Sequence, residues 1–500
     1  MGTELQDHRE KQYETIESED IGFGRLVKVI SVTSIAAIFT GFAALYFVYA
    51  ERWGDTFIRG LSGDTDLNLI VWTGRVEGWT AIAAPAIAIT LAMTLIVCVQ
   101  RKWFPGTEGT GIPQAIAALK VGNTKARSLM LSLWIAFGKM GLLTIALLFG
   151  ITVGREGPSV HIGACFMHLC NKFTRLPSFL VARGMILAGS AAGIAAAFNT
   201  PIAGVVFCLE EVGRTFDRKS VPAIIRTVAI ACAVGVVFLG HYTFYTRANE
   251  YVEFPLGLPH FLAENGGGFK EWLLSMRAWL AVPLVGIAGG FLGGWFSRGV
   301  VVTSKITAPR LMKKPLQTGL LLGLALAVIG IASGGESYGG GYGQTKEMLI
   351  TAAVEGETIS SWHYPLTKAA ASFVSLISAI PGGLFDPSLA VGAGLGQVTH
   401  GFFNDYITPG IGLPALMMLF MAAYFSGVVQ SPITVFTILF EMTGAYGMLL
   451  PLMFAAMIGT IVAKRICNPS IYEALSDQFL SMKGLDPSKT PLNEEAAKQS

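Results

Sequence analysis

The sequence predicts an all-α polytopic membrane protein built from two helical repeats that contain broken and re-entrant helices. Three observations carry that reading. Hydrophobic residues make up 52% of the 500-residue chain and charged residues only 14%, with a mean hydropathy of +0.56; ordinary soluble chains run near a quarter charged. Apolar stretches of spanning length recur near 26–50, 79–100, 128–153, 221–242, 273–297 and 316–333, with more in 409–462. The third observation is an internal repeat. Gly154 to Ala164 aligns with Gly383 to Ala393 at an offset of 229, sharing Gly, Pro, Ser, Gly and Ala. Thr200-Pro201 and Glu210 align with Ser431-Pro432 and Glu441 at 231, and Gly109, Gly111 and Gln114 with Gly339, Gly341 and Gln344 at 230.

Shorter apolar pieces lie between the long ones, at about 158–170, 183–199, 201–213, 368–380 and 387–403. They are too short or too interrupted to span, and such helices are tolerated only inside protein or beside a cavity. Several chain turns place a residue before proline: Ile112-Pro113, Gly157-Pro158, Thr200-Pro201, Asp386-Pro387 and Ser431-Pro432. Proline suits the first helical position and Thr, Ser, Asp or Gly the cap before it. Each is therefore a candidate helix N-terminus at membrane depth, with free N–H groups and a positive dipole end that attracts anions. The expected organisation is a polar arm over 1–25, a first repeat over 26–242, a polar linker over 243–271, a second repeat over 272–463 and a short polar tail over 464–500. Transporters with internal repeats place their site where the repeats meet.

Composition also excludes functions. The 36 basic and 33 acidic residues give a net charge of +3, without the concentrated basic face of a nucleic-acid binder. No HExxH, GxGxxG or phosphate-loop motif is present, so neither nucleotide nor metal is expected and an enzyme is disfavoured. The six cysteines lack metal-ligand spacing and read as buried hydrophobes. His161 and His168 read as satisfied helix histidines. The run from Leu416 to Met421 reads as packing at a subunit or lipid surface. Arg101-Lys102, Lys125 with Arg127, Arg214 with Arg218-Lys219, Lys313-Lys314 and Lys464-Arg465 mark candidate cytoplasmic loops.

The blocks Gly109-Thr110-Gly111-Ile112-Pro113, Gly154-Arg155-Glu156-Gly157-Pro158 and Gly383-Leu384-Phe385-Asp386-Pro387, followed by Tyr446 after Glu441, resemble the CLC family of chloride channels and chloride–proton antiporters. The blocks occur in family order, and the resemblance covers about residues 30–465. It implies two halves of inverted topology and a homodimer with one pore per subunit. It implies chloride and protons as the transported ions, with no cofactor. The short tail resembles prokaryotic members, which implies a prokaryotic inner membrane with both chain ends cytoplasmic.

By that resemblance, Thr110 and Tyr446 offer hydroxyl donors to a central anion, and the backbone N–H groups of Leu384 and Phe385 approach it from the other repeat. Glu156 is the gate and external proton carrier; Glu211 is the internal proton acid. An intramembrane carboxylate is a functional candidate by default, whereas the plain reading of Glu211 is a solvated helix end beside Arg214. Arg155 contributes its backbone N–H or faces a carboxylate. Lys139 matches a family lysine whose usual acidic partner is replaced near Ile116, and it either shapes the pore field or snorkels to an interface. Thr110 stands where serine is usual, which leaves the ranking of chloride, bromide and nitrate open. Asp386 also departs from the pattern; its simplest role is an N-cap for the following helix, and the sharper alternative is a second gating acid. The favoured function is chloride/proton antiport. The runner-up is a passive anion channel of the same fold, because channels generally lack the pair Glu156 and Glu211.

Overall fold

The computed structural model describes residues 23–485 apart from 64, 66, 69–72, 75, 122–123, 175–180, 215–219 and 241–276. The expected linker 243–271 and nearly all of the arm 1–25 therefore lie outside the described residues. The first half begins with α1 (Phe23–Leu61) and α2 (Trp79–Trp103), separated by a two-residue antiparallel pairing of Leu67–Asn68 with Thr73–Gly74. It continues through α3 (Ile112–Lys120), α4 (Thr124–Met130), α5 (Leu133–Leu148), α6 (Glu156–Thr174), α7 (Ile186–Phe198), α8 (Pro201–Phe207) and α9 (Val221–Leu239). The second half contains α10 (Ala281–Lys313), α11 (Pro315–Ala332), α12 (Tyr342–Val354), α13 (Tyr364–Ile377) and α14 (Phe385–Phe402). It ends with α15 (Leu413–Val429), α16 (Pro432–Thr443), α17 (Leu449–Ile466) and α18 (Ile471–Met482).

Among the described residues, 7 helical stretches are long and apolar enough to cross a membrane. The repeat survives in the architecture: α12, α13, α14 and α16 start 229 to 231 residues after α3, α5, α6 and α8. An antiparallel bridge between Gly154 and Gly383 joins the two halves where α6 and α14 begin, so the paired segments run in opposite directions. Both repeats use a left-handed glycine to start the equivalent short helix, Gly111 before α3 with φ 95° and Gly341 before α12 with φ 100°. An L side chain avoids that region. A Cβ on Gly111 would also press on His161 and Lys139, and one on Gly341 on Ala390 and Lys368.

The glycine content has a packing explanation. In lipid, helices gain from close van der Waals contact rather than from leaving water, so small residues line their interfaces. A Cβ on Gly189 in α7 would overlap the Gly163 carbonyl of α6, and one on Gly193 the Ser159 carbonyl. Gly289 and Gly293 of α10 meet the α15 backbone in the same way, and Gly290 meets Gly459 of α17.

Two expectations change. The run Leu416 to Met421 does not face lipid or a partner: every residue of α15 is buried, enclosed by α10, α14 and α17. The segment 464–500 is not simply a polar tail, because α18 folds back with Ile471, Tyr472, Phe479 and Leu480 in the core. Gly189→Ala is expected to destabilise the protein by about 1–3 kcal/mol through overpacking. Gly235→Ala on α9, where a Cβ meets nothing within 4 Å, is expected to leave thermal unfolding in detergent nearly unchanged.

Candidate functional site

The residues that converge at the repeat interface come from the starts of α3, α6, α14 and α18. Thr110 and Gly111 precede α3, and Thr110 packs against Gly157 of α6, its Cβ only 2.9 Å from where a Gly157 side chain would begin. Gly154 N–H donates to the Gly383 carbonyl at 2.8 Å and Gly383 N–H returns to the Gly154 carbonyl at 2.5 Å. A Cβ on either glycine would run into the Glu156 carboxyl group as it lies here.

α6 and α14 start two residues earlier than the prolines suggested, at Glu156 and Phe385, so Pro158 and Pro387 occupy the third helical position. Proline is tolerated there because the first N–H groups of a helix have no intrahelical acceptor. The shift places Glu156 and Asp386 inside the first turns. Asp386 does not cap: the N-cap of α14 is Leu384, which makes no side-chain cap bond, and both Asp386 oxygens lack a hydrogen-bond donor. The capping expectation fails because the carboxylate points away from its own helix N–H groups, toward Glu156.

Unpartnered buried polar atoms gather at these helix starts. Thr110 Oγ1, both Glu156 oxygens, both Asp386 oxygens and the Tyr472 hydroxyl are buried without a hydrogen-bond partner. Leu384 and Phe385, at the first positions of α14, are buried as well. The Phe385 ring stacks on Tyr472 with centroids 6.4 Å apart and contacts Phe198, Phe207 and Phe425.

Tyr446 is not in this constellation. It lies 78% exposed on a 3-10 turn, its ring against Phe440. The tyrosine that enters the site is Tyr472, fully buried in the first turn of α18 and within electrostatic range of both Glu211 and Glu156. The motif-based assignment went wrong because the residues after Glu441 end their helix at the protein surface, while the chain needs a further helix to return to the interior.

Glu211 is buried rather than solvated. It accepts from the Ser431 hydroxyl at 2.5 Å and from Arg214 at 3.4 Å. Arg214 also binds Glu473 and donates to Ser470 at 2.8 Å. Ser470 directly precedes α18 and Glu473 sits in its first turn, so the Glu211 cluster holds the start of the helix that carries Tyr472. Glu210 points elsewhere. It accepts the N–H groups of Ile433 at 3.1 Å and Thr434 at 2.7 Å at the start of α16. Reciprocally, Glu441 accepts those of Ile202 at 3.0 Å and Ala203 at 2.7 Å at the start of α8. The two ends begun by Pro201 and Pro432, expected to be free for anions, are filled by carboxylates of the opposite repeat.

Two buried lysines flank the site at equivalent positions. Lys139 donates to the Gly109 carbonyl at 3.0 Å, which answers the question of its partner. Lys368, unnoticed in the sequence although it follows Lys139 at the repeat offset, donates to the Ser337, Tyr338 and Gly339 carbonyls and to Gln344. The Arg155 guanidinium is buried 3.0 Å from Glu51 of α1 and stacks over Tyr342. Glu51 was legible only as an acid that continues the first apolar run. His161 bonds the Met130 carbonyl at 2.9 Å through one ring nitrogen, while the other is buried and unpaired. Among the described residues no group of three or more His, Cys, Asp or Glu could hold a metal.

Comparison with known proteins places the sequence and the fold. A sequence profile described as voltage gated chloride channel matches residues 91–464. The H(+)/Cl(-) exchange transporter ClcA of Cronobacter sakazakii is 26% identical over 462 residues, covering 91% of this chain and 90% of its own length. The anion/proton exchange transporter GEF1 of Saccharomyces cerevisiae is 25% identical, covering 83% of this chain and 54% of its own. A crystal structure of a slow cyanobacterial Cl-/H+ antiporter superposes with a TM-score of 0.71 at 19% identity, covering 91% of this chain and 99% of its own. Loss of a cap acceptor costs about 0.5–2 kcal/mol. Glu441→Ala is therefore expected to lower the unfolding midpoint in detergent, and Glu441→Gln, which keeps an acceptor oxygen, to lower it less.

Proposed function

The chain belongs to the voltage gated chloride channel family, and from that premise we propose that it is a secondary active antiporter that moves chloride across a membrane in exchange for protons. The observation that carries the proposal is the presence of two buried acids, both within electrostatic range of the buried Tyr472. Glu156 sits at the start of α6, and Glu211 lies at the end of the π turn that continues α8. A passive channel needs no second buried acid.

Chloride at membrane depth must exchange its hydration shell for donors, and a full positive charge would hold it too firmly to let it leave. The first N–H groups of α14, at Leu384 and Phe385, supply a partial positive charge instead, worth about 0.3–2 kcal/mol per helix end. The unpartnered hydroxyls of Thr110 and Tyr472 are neutral donors that complete the coordination. Lys368 is engaged by three carbonyls and Gln344 and Lys139 by the Gly109 carbonyl, so both are held by the protein and shape the field around the anion. The backbone of Gly109, Gly111, Ile112, Pro113, Gly154, Arg155, Gly157 and Gly383 sets this geometry.

Glu156 works as gate and proton carrier. Ionised, its carboxylate occupies the place of an anion beside Gly154 and Gly383; protonated, it has no charge to hold it there and swings clear. Glu211 handles protons on the other side, held by Ser431 and Arg214 and kept out of the anion path. The Arg214 connection to Ser470 and Glu473 ties its protonation to the helix that carries Tyr472. The protein acts as a homodimer in the lipid bilayer, with one pathway per subunit. Both chain ends face the cytoplasm of a prokaryotic inner membrane, as the basic loops suggest. It requires no cofactor and catalyses no covalent chemistry.

The test is purified protein in liposomes with chloride and proton flux recorded together. An outward chloride gradient should drive protons inward against their own gradient. Chloride flux that persists without uphill proton movement would favour the channel. Glu156→Gln and Glu211→Gln should each abolish uphill proton transport while chloride still moves. At the anion site, Tyr472→Ala should weaken chloride binding by calorimetry about tenfold, which corresponds to roughly 1.4 kcal/mol, whereas Tyr446→Ala should leave it unchanged.

A further inference from the structure

We propose that Asp386 and Glu156 form a carboxyl pair that holds one proton between them, making Asp386 a second proton-carrying acid of the pathway. The inference rests on the antiporter reading for its consequence, but its structural basis is independent of that reading. Both side chains lie in the first turns of helices joined by the Gly154–Gly383 bridge, and both are at least 99% buried. The Glu156 carboxyl group lies against Gly383, three residues before Asp386, and the two acids act on each other electrostatically across the repeat interface. Neither receives a donor from any other described residue.

An ionised carboxylate only accepts hydrogen bonds. Two carboxyl groups that meet in a buried site with no donor between them therefore need a hydrogen of their own, and like charges in contact at low dielectric cannot both persist. The surroundings do not supply a substitute. Arg155, the cation that bears on both, is paired with Glu51 at 3.0 Å. The Lys368 ammonium, on α13, is spent on three carbonyls and Gln344. Asp55 and Glu51, facing from α1, add negative charge. The Tyr472 hydroxyl faces Glu156 from α18 and is neutral.

The arrangement gives the gate three states. With both acids ionised, which only alkaline pH forces and which drives the two carboxylates apart, two negative charges exclude the anion. With one shared proton, Glu156 is held against Asp386 and the path stays closed. With a second proton, the reason for the contact is gone and Glu156 can leave the anion position. Asp386 thus keeps one proton in the pathway after Glu156 has released its own. The interaction becomes an outcome of pH rather than of helix capping.

Two measurements on the full-length protein test this. Infrared difference spectra between acidic and alkaline pH should show a protonated carboxyl band, shifted in D2O. Asp386→Asn and Glu156→Gln should each keep a carboxyl band displaced from the wild-type frequency, because the surviving acid has lost its partner, and the double variant should lose that band. In liposomes, Glu156→Gln should retain a pH-dependent chloride efflux that Glu156→Gln/Asp386→Asn loses. Asp386→Ala, eluting as a folded species of wild-type size, should match Asp386→Asn in both assays. A surviving band at the unshifted wild-type frequency in either single variant, or an efflux in Glu156→Gln that is already independent of pH, would overturn the proposal. Failure of the wild type to drive protons uphill would sink the antiporter reading alone, since the infrared result does not depend on transport.

Discussion

Two backbone hydrogen bonds between Gly154 and Gly383 hold the site together. They join the repeats where α6 and α14 begin, and every functional side chain is placed relative to that joint. The bridge fixes Glu156 next to the start of α14 and brings Asp386 up to Glu156. It also leaves room for the Thr110 side chain beside Gly157. With glycine at both positions, the Glu156 carboxyl group fills the space a side chain would take. An internally duplicated membrane chain can thus build a site that neither half contains.

A second constraint decides which helix ends are open to an anion. Helix N-termini carry orphan N–H groups wherever they lie, and this fold brings several to the membrane interior. Glu210 and Glu441 close the starts of α16 and α8 by crossing from one repeat to the other. These carboxylates satisfy donors that would otherwise compete for chloride. Their neighbour Glu211, one position along the chain, points instead into the protein to Ser431 and Arg214. Adjacent residues of a helix project about 100° apart, so one chain segment serves both a structural and a proton-handling purpose.

The repeat offset made most of the fold legible, since four elements of the second half start where the first half predicts. The glycine-proline blocks pointed to the buried helix starts where Thr110, Glu156, Leu384 and Phe385 lie, because backbone chemistry at a helix start is written in local sequence. Long-range contacts were not legible. Nothing near Arg155 in sequence announces Glu51, and Tyr472 lies beyond the last spanning helix in a segment that reads as polar tail. Tyr446 misled because a tyrosine after a helix end looks the same whether the chain stops at the surface or turns back inside. Asp386 misled for a related reason: a residue before proline suits a cap, but the helix begins earlier and its carboxyl group meets another repeat. Lys368 was within reach, since the offset that relates the blocks leads from Lys139 to it.

The central claim is that the anion sits between the uncapped start of α14 and the hydroxyls of Thr110 and Tyr472, at the seam between the repeats. Crystals grown with bromide in place of chloride test it most directly through anomalous scattering. The account predicts a bromide peak within hydrogen-bonding distance of the Phe385 N–H and the Tyr472 hydroxyl, lost in Tyr472→Ala. A peak beside Tyr446 or at the starts of α8 and α16, with none at the seam, would contradict it.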